Sequence, residues 1–448
     1  MSLDHLNTIY RSYDIRGKFP EEITAEEVEK IGKAIVKHFG LKKVAVGRDI
    51  RPSADTLFDA ISKGITSQGA DVVDLGLTTT PMTYFIAGST DVDATVMITA
   101  SHMPSQYNGL KITTENAKPV DTEMLQTIRN IVGTHTFSAE ETVGSITTHS
   151  MQENWINSFK AKHDLGDSQF TLVIDPANMI GALDVGTFKA FDKNLTVHTI
   201  YEDFNHDCPN HEANPMDHET LCDLQAEVLD KKADLGIAFD GDADRVGVVD
   251  ETGKIIPSDI VGAILAKEVL AKYPKTTVVY DLRSTRALPE IVESLGGKAV
   301  TGRVGHTFIK NTMREHDATL GIELSGHFFL RDNYFSEGGP AAVFLLLEHM
   351  KRTGKKLSIL AKEVQSYFHS TEINSTIDRT IDQVYASLKE AFPEAGYEEF
   401  DGISLSSDDW WCNVRPSAND PVMRLNLEAK TKELMEEKRD AVLEIIRS

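Results

Sequence analysis

Short, continuously apolar runs alternate with longer amphipathic segments along the first three quarters of the chain. Apolar runs of this kind are typical of parallel strands that are buried on both faces, and the segments between them have the spacing of helices. The alternation occurs three times in a similar order, without sequence identity between the passages. The runs are residues 43–47, 71–76 and 94–99, then 171–175, 195–200 and 235–240, then 276–281, 298–302 and 318–323. This pattern predicts three similar mixed βαβ domains of the α/β class.

A different pattern follows Phe368. Residues 402–429 contain strand-like runs around a turn-rich centre, and residues 431–447 have the pattern of a charged amphipathic helix. These features predict a smaller C-terminal α+β domain with an antiparallel sheet. The predicted domains are therefore residues 1–150, 151–255, 256–367 and 368–448.

The charge balance disfavours some classes of partner. The 448 residues include 46 basic and 69 acidic side chains, which gives a net charge of −23. This charge argues against nucleic-acid or membrane-surface binding, so an anionic ligand needs a local basic pocket. Three cysteines fit a reducing compartment, the first residues do not resemble a signal peptide, and the longest apolar run is only residues 341–347. We expect a cytoplasmic protein.

Three loops follow the last strand of each predicted α/β domain. In open α/β sheets, ligands collect at the carboxyl ends of the strands, so these loops are candidates for one shared site. The first loop, residues 99–104, has a serine and a histidine, and the second, residues 240–245, has carboxylates. The third, residues 322–327, has Glu323 and a further serine and histidine. Turn composition alone does not explain this division of chemistry.

The first loop contains Ser101 and His102 directly after an apolar run, and Lys111 lies ten residues beyond the serine. A surface turn is one interpretation, since serine, asparagine, glycine and proline are common in turns. The second interpretation is a strand end that holds a nucleophilic serine.

The second loop, D-G-D-A-D-R, contains Asp240, Asp242 and Asp244. Carboxylates at alternate positions around a glycine suit a hard divalent cation. An EF-hand would need glycine where Arg245 stands and helices on both sides, whereas both flanks here are strand-like. The loop could also be a solvated acidic turn, or Asp240 could be a nucleophile, although Ser101 makes a nucleophilic aspartate unnecessary.

Four segments, taken in order, resemble the α-D-phosphohexomutase family. They are T-A-S-H-M-P-S-Q-Y-N-G-L-K, D-G-D-A-D-R, G-I-E-L-S-G-H and R-P-S-A-N-D-P. The opening Y-R-S-Y-D-I-R-G is similar to the phosphomannomutase/phosphoglucomutase branch, and the resemblance covers essentially the full length. It implies four domains around one central cleft, a phosphoserine and Mg²⁺. The implied reaction moves phosphate between C1 and C6 of mannose or glucose phosphate through a hexose 1,6-bisphosphate.

The resemblance also implies roles for individual residues. The implied catalytic residues are Ser101, His102, Lys111 and His306. The implied metal ligands are Ser101, Asp240, Asp242 and Asp244. Substrate contacts fall to Tyr13, Arg16, Arg245, Gly305, Lys310, Glu323, Ser325, His327, Arg415, Ser417, Asn419 and Arg424. A serine hydroxyl needs a base within reach, and which of these groups is the base stays open. A loop-stabilising role for His102 and a structural ion pair for Arg16 also stay open.

Several positions depart from the family pattern. Met103 stands where asparagine is usual, Ile322 replaces a glycine, and Ala418, Asn419 and Asp420 alter the phosphate-binding loop. Three rival functions therefore stay open: a phosphoglucosamine mutase, a metal-dependent sugar phosphomonoesterase using Ser101, and a non-catalytic sugar-phosphate binder. The expected partners are small hexose phosphates, and the expected state is a monomer or homodimer.

Overall fold

The computed structural model describes residues 3–11, 13–138, 142–417 and 422–448. Within these residues the strands form four sheets, three of which combine parallel and antiparallel pairs. The fourth sheet is antiparallel throughout. This architecture confirms the predicted fold class. The exact domain boundaries stay predictions.

The first sheet has the strand order β1-β5-β4-β2-β3-β7, with β6 paired to β5. Its strands are β1 (Ile15–Lys18), β2 (Lys43–Arg48), β3 (Asp71–Leu77), β4 (Ala94–Ile98), β5 (Tyr107–Thr114), β6 (Lys118–Pro119) and β7 (Ile146–Thr148). The helices are α1 (Leu3–Ile9), α2 (Ala25–Phe39), α3 (Ala54–Thr66), α4 (Thr80–Ser89) and α5 (Thr122–Thr134). A capping box between Thr24 and Glu27 begins α2, and Gly40 ends it in the left-handed conformation.

The second and third sheets have five described strands each, in the orders β12-β11-β10-β8-β9 and β14-β13-β15-β16-β17. The second has β8 (Phe170–Asp175), β9 (Leu195–Thr199), β10 (Leu235–Phe239), β11 (Val246–Asp250) and β12 (Ile255–Ile256), with α6 (Gln152–Lys162), α7 (Ala182–Lys189) and α8 (Cys222–Lys231). The third has β13 (Thr277–Asp281), β14 (Lys298–Gly302), β15 (Leu320–Ile322), β16 (Phe328–Leu330) and β17 (Ser336–Glu337). Its helices are α9 (Ser258–Lys272), α10 (Ala287–Ser294), α11 (His306–Glu315), α12 (Gly339–Thr353) and α13 (Leu357–Val364).

The three α/β sheets share one local topology. The central strand of each, β4, β10 or β15, runs parallel to a neighbour and then turns back into an antiparallel strand, β5, β11 or β16. The loops that follow the three central strands are the loops that the sequence analysis selected. Each therefore lies at a carboxyl strand end, where its side chains can reach a ligand.

The fourth sheet has the order β18-β23-β22-β21-β20, with β19 paired to β23. Its elements are β18 (Phe368–His369), β19 (Ile373–Ser375), α14 (Ile381–Ala391), β20 (Gly396–Glu399), β21 (Ile403–Ser406), β22 (Trp410–Pro416), β23 (Met423–Ala429) and α15 (Lys432–Arg447). The buried apolar residues of α14 and α15 pack on the sheet as a separate core.

The boundaries of the hydrophobic cores do not coincide with those of the four sheets. The largest cluster runs through the second and third domains and includes residues of the first, such as Met82 and Phe85. The rings of Phe188 and Phe344 stack within it at 5.2 Å. The fourth domain instead reaches the third through polar contacts, such as the Arg286 backbone N–H to Glu428. No helix in the described part of the chain is long and apolar enough to cross a membrane.

Candidate active site

The three strand-end loops meet at one place in the fold. Ser101 Oγ donates a hydrogen bond to Asp240 Oδ2 of the second loop over 2.9 Å. Arg245, at the end of the second loop, forms an isolated antiparallel bridge with His327 of the third. The structure thus joins the hydroxyl, the carboxylates and the histidine that the sequence carries on separate loops.

Ser101 has an unusual backbone conformation. Its φ is 56°, in the left-handed region that non-glycine residues seldom adopt, and the residue is only 2% exposed. Its N–H donates to Thr99 Oγ1, and its Oγ lies 3.2 Å from Nδ1 of His102. The positive charge of Arg245, together with burial, lowers the pKa of His102 to about 2. The imidazole is therefore neutral near pH 7 and contacts the hydroxyl as an uncharged group.

Arg51 holds this loop in place, and the sequence analysis missed it. Its guanidinium donates hydrogen bonds to four backbone carbonyls of the loop and pairs with Asp49 at 3.0 Å. The four acceptors are the carbonyl oxygens of Ser101, Met103, Pro104 and Tyr107, at 2.6 to 3.0 Å. The segment D-I-R-P-S directly follows β2, so its position at a carboxyl strand end was the signal that could have identified Arg51.

The acidic loop is a candidate metal site. Carboxylate oxygens of Asp240, Asp242 and Asp244 lie within 4.8 Å of one another, and the three residues are at most 1% exposed. Oδ1 of Asp242 is buried, and no described residue donates a hydrogen bond to it. A β-carbon on Gly241 would lie 2.2 Å from the carbonyl oxygen of Ser101, so glycine permits the close approach of the two loops. Three buried carboxylates beside a serine hydroxyl form an all-oxygen set that fits Mg²⁺.

Lys111 supplies one positive charge to the acidic loop. Its Nζ lies 2.6 Å from Asp242 Oδ2 and 2.5 Å from Asp244 Oδ2. Burial favours the neutral amine, but the two carboxylates outweigh it and raise the pKa of Lys111. Burial and the charges of Asp244 and Asp242 nevertheless raise the pKa of Asp240. One ammonium thus leaves the loop with excess negative charge, which a divalent cation would offset.

The third loop is tied to the acidic loop through His327. Its Nδ1 lies 3.0 Å from both Glu323 Oε2 and Ser325 Oγ, and its Nε2 lies 3.2 Å from Asp244 Oδ1. Burial opposes the charged imidazole, but Asp244 and Glu323 raise the pKa of His327 to about 9. Burial is also outweighed at Glu323, where His327 and Arg283 lower the pKa to about 2. The loop therefore presents an ionised carboxylate and an imidazolium.

His306 begins α11 opposite a residue of the first domain. Its ring meets the ring of Tyr13 edge-on, with centroids 4.7 Å apart, and its Nδ1 lies 3.2 Å from Glu337 Oε1. Glu337 Oε2 accepts a hydrogen bond from the buried Lys310 over 2.8 Å. Burial and the charge of Lys310 lower the pKa of His306, so this imidazole is neutral. Gly305, with φ of 129°, allows the turn beside Tyr13. Glu337 was not among the residues predicted from the sequence.

Arg16 lies on β1, next to the acidic loop. Its Nη2 is 2.5 Å from Asp14 Oδ2. Burial opposes its charge, but Asp14 and the more distant Asp242 raise the pKa of Arg16. Both interpretations of Arg16, as a substrate contact and as a structural ion pair, stay predictions.

The fourth domain presents Arg415 and Arg424 directly opposite each other on β22 and β23. Both guanidiniums pair with Glu372, at 3.1 and 3.0 Å. Ser417 donates its backbone N–H to the carbonyl of Val422, and the predicted contact Asn419 lies outside the described residues.

Arg283 of the third domain lies at the edge of this arginine pair. Its Nη1 is 3.7 Å from Glu372, and its Nη2 pairs with Asp281 at 2.6 Å. A cavity of about 570 Å³ has Arg245, Ser325, Arg283 and Glu372 on its walls, so it connects the third loop with the fourth domain. Neither Arg283 nor Glu372 was predicted from the sequence. Arg283 follows β13 at a carboxyl strand end, which is a usable signal, whereas Glu372 has no local signal.

Asp259, His369 and Glu428 form a second group of side chains that could hold a metal. However, the Thr371 N–H donates to Nδ1 of His369 over 3.2 Å. The ring proton of a neutral imidazole then sits on Nε2, the atom nearest Glu428. His369 therefore faces the carboxylates as a donor, and the acidic loop remains the better metal candidate.

Comparisons with known proteins agree along most of the chain. Models described as phosphoglucomutase/phosphomannomutase, alpha/beta/alpha domains I, II and III, match residues 7–139, 153–253 and 257–367. A protein of Methanocaldococcus jannaschii named "Phosphomannomutase" is 35% identical, over 98% of this chain and 97% of the relative. A protein of Pyrococcus abyssi named "Probable phosphoglucosamine mutase" is 33% identical over 94% of each chain. The crystal structure of a phosphoglucomutase/phosphomannomutase family protein from Burkholderia thailandensis has a TM-score of 0.91 at 29% identity, covering 99% of this chain and 97% of that one.

Proposed function

We infer that this chain, which belongs to the phosphoglucomutase/phosphomannomutase family, is a hexose-phosphate mutase that works through Ser101. The observation that carries the assignment of Ser101 is the 2.9 Å hydrogen bond from its Oγ to Asp240. A phosphoryl group on that oxygen would lie directly against the three carboxylates of the acidic loop. Lys111 offsets only one of their charges, so a dianion beside them needs a further cation, which supports metal-assisted phosphoryl transfer.

The reaction consists of two transfers of phosphate. Phosphoserine 101 gives its phosphoryl group to the free hydroxyl of a hexose monophosphate, which produces a hexose 1,6-bisphosphate. The bisphosphate then turns and returns its other phosphoryl group to Ser101. Asp240, Asp242, Asp244 and the Ser101 oxygen would hold Mg²⁺, which when bound offsets the negative charge of the transferring group.

The protonation states divide the candidate acid–base groups into two kinds. His102 and His306 are both kept neutral, but a pKa of about 2 makes His102 a weak base, so His306 is the better proton acceptor of the two. Lys111 and His327 are held as cations by their carboxylate neighbours, so they are suited to stabilise negative charge or donate a proton. We propose that the neutral imidazole of His102 orients Ser101 Oγ, because its Nδ1 is 3.2 Å away.

The sugar and its second phosphate would bind between the third and fourth domains. Glu323 and Ser325 present hydrogen-bonding oxygens for the sugar hydroxyls, and a carboxylate can accept from two adjacent hydroxyls in either sugar orientation. Arg415, Arg424 and Ser417 would bind the phosphate that is not reacting. We propose mannose and glucose phosphates as the substrates. A cytoplasmic location and a monomeric or homodimeric state also stay predictions.

A panel assay tests this function. The protein is given glucose 1-phosphate, mannose 1-phosphate or glucosamine 1-phosphate, with Mg²⁺ and glucose 1,6-bisphosphate, and the 6-phosphate and free phosphate are measured together. We expect isomerisation to exceed phosphate release. Net hydrolysis would indicate a phosphomonoesterase, and the preferred sugar would distinguish a glucosamine-specific mutase.

The matched variants are Ser101→Ala and Ser105→Ala, which remove a hydroxyl within the loop and one directly after it. Ser101→Ala should lose more than about a thousandfold of the rate, because the phosphoryl acceptor is gone. Ser105→Ala should retain it. Intact-protein mass should show one phosphate on the wild type and on Ser105→Ala, and none on Ser101→Ala. A near wild-type rate for Ser101→Ala would refute the phosphoserine.

A further inference from the structure

Glu372 occupies the position between two arginines that the proposed function gives to a phosphate. Its Oε1 accepts from Arg424 over 3.0 Å, and its Oε2 accepts from Arg415 over 3.1 Å and from Asn426 over 3.2 Å. Its side chain is 25% exposed to the cavity, whereas Arg415 is 6% exposed. A carboxylate therefore accepts hydrogen bonds from the same donors that would hold a phosphate.

The backbone directs Glu372 into this position. His369 pairs with Glu428 of β23, and Ile373 pairs with Leu425 of β23. The step from the first pair to the second is three residues along β23 but four residues along the opposite strand. The opposite strand thus has one extra residue, which is a β-bulge, and Thr371 within it has φ of 59°. Bulges and left-handed residues redirect a side chain at a cost, and here the side chain they redirect reaches the arginines.

Charge and geometry favour displacement of Glu372 by the phosphate over simultaneous binding of both anions to the arginines. Burial opposes ionisation of Glu372, but Arg283 and Arg415 lower its pKa, so it carries a full negative charge. A phosphate monoester dianion placed beside an ionised Glu372 would be repelled, and both anions would compete for Arg415. Arg283, 3.7 Å from Glu372 Oε2, is a second cation that the displaced carboxylate can approach.

We propose that Glu372 is an internal competitor for the phosphate that is not reacting: it pairs with Arg415 and Arg424 when the phosphate is absent and yields them when it binds. This rests on the proposed mutase function, in which the bisphosphate must leave the arginines in order to turn. The returning carboxylate helps to displace the phosphate, so the arginines do not retain the intermediate in one orientation. Glu372 therefore makes phosphate binding weaker and allows faster turnover.

Calorimetry with inorganic phosphate and with glucose 6-phosphate tests the competition without requiring turnover. Glu372→Gln should bind both about tenfold more tightly than the wild type, because the phosphate no longer displaces a charged partner. Glu390→Gln, an exposed change of the same charge on α14, should bind as the wild type does. Equal or weaker binding by Glu372→Gln would overturn the proposal, since that result is expected of a carboxylate that only orients the arginines.

Kinetics tests the role in release. In Glu372→Gln, the KM for glucose 1-phosphate and kcat should fall together, and tighter binding without a lower kcat would overturn this role. If Glu372→Gln does not fold, Glu372→Asp serves, because its shorter side chain draws the carboxylate away from the guanidiniums and should tighten binding to a smaller degree. Unchanged binding by a folded Glu372→Asp would also count against the proposal. A wild-type protein that binds phosphate but does not isomerise sugars would refute the mutase function and leave the binding comparison readable.

Discussion

Replacing Arg51 with lysine should slow phosphoryl transfer without changing sugar binding. Arg51 touches no proposed substrate contact, but its planar guanidinium holds four carbonyls of the Ser101 loop at once. Ser101 has a φ of 56°, a conformation that the loop does not favour by itself. The loop should therefore relax when its brace is weakened, and the hydroxyl should move away from Asp240.

The size of the effect follows from the hydrogen bonds. A lysine ammonium is a compact group with three donors, so from the same place it can reach about two of the four carbonyls. Each lost hydrogen bond from a charged donor is worth about 1.5 kcal/mol, which makes the total loss about 3 kcal/mol. If half or all of that loss reaches the transition state, kcat falls about tenfold to a hundredfold.

Steady-state isomerisation of glucose 1-phosphate provides the assay, with KM measured alongside kcat. The matched control is Arg48→Lys, since Arg48 lies at the end of β2 and forms ion pairs with Asp55 and Asp74, both at 2.7 Å. We expect Arg48→Lys to retain activity and Arg51→Lys to lose kcat with little change in KM. A kcat for Arg51→Lys within twofold of the control would refute the bracing role.

Three further outcomes are expected. Asp242→Asn should abolish Mg²⁺-dependent activity while thermal unfolding shows a folded protein, and activity that survives chelation would contradict the metal site. Arg415→Lys should weaken glucose 6-phosphate binding by about tenfold to a hundredfold, since lysine cannot reproduce the planar contact, and unchanged calorimetric affinity would refute it. Burial raises the pKa of Asp184 to about 7 from about 4 in an unfolded chain, so the protein should lose stability as the pH rises between these values. Asp184→Asn should remove that loss and be more stable than the wild type in urea at pH 8 but not at pH 4, and equal curves at pH 8 would contradict the buried acid.

The sequence by itself determined the strands and the chemistry that they deliver. A strand buried on both faces is apolar at nearly every position, so β4, β10 and β15 are visible as nearly continuous apolar runs. Their loops were therefore identifiable before any contact was known. The family resemblance added the roles of Ser101 and the three aspartates, since no periodicity distinguishes a phosphoserine from a turn serine.

Only the tertiary structure decided which side chains are partners. Arg51 and Ser101 are far apart in the chain, as are Glu337 and His306, and Glu372 and Arg415. A local pattern cannot reveal such pairs, because they depend on how the chain folds within each domain. The sequence also did not reveal that β5, β11 and β16 run antiparallel to the central strands, because an apolar run contains no information about the direction of the neighbouring strand.

The tertiary structure also decided the charge of each histidine. His102, His306 and His327 have the same ordinary pKa, yet the first two are neutral and the third is a cation. For His102 and His327 the difference comes from neighbours on another domain: Arg245 repels the proton of His102, whereas Asp244 attracts that of His327. The sequence thus supplied the groups, and folding assigned their protonation states, because electrostatic energy depends on distance in space and on burial rather than on position along the chain.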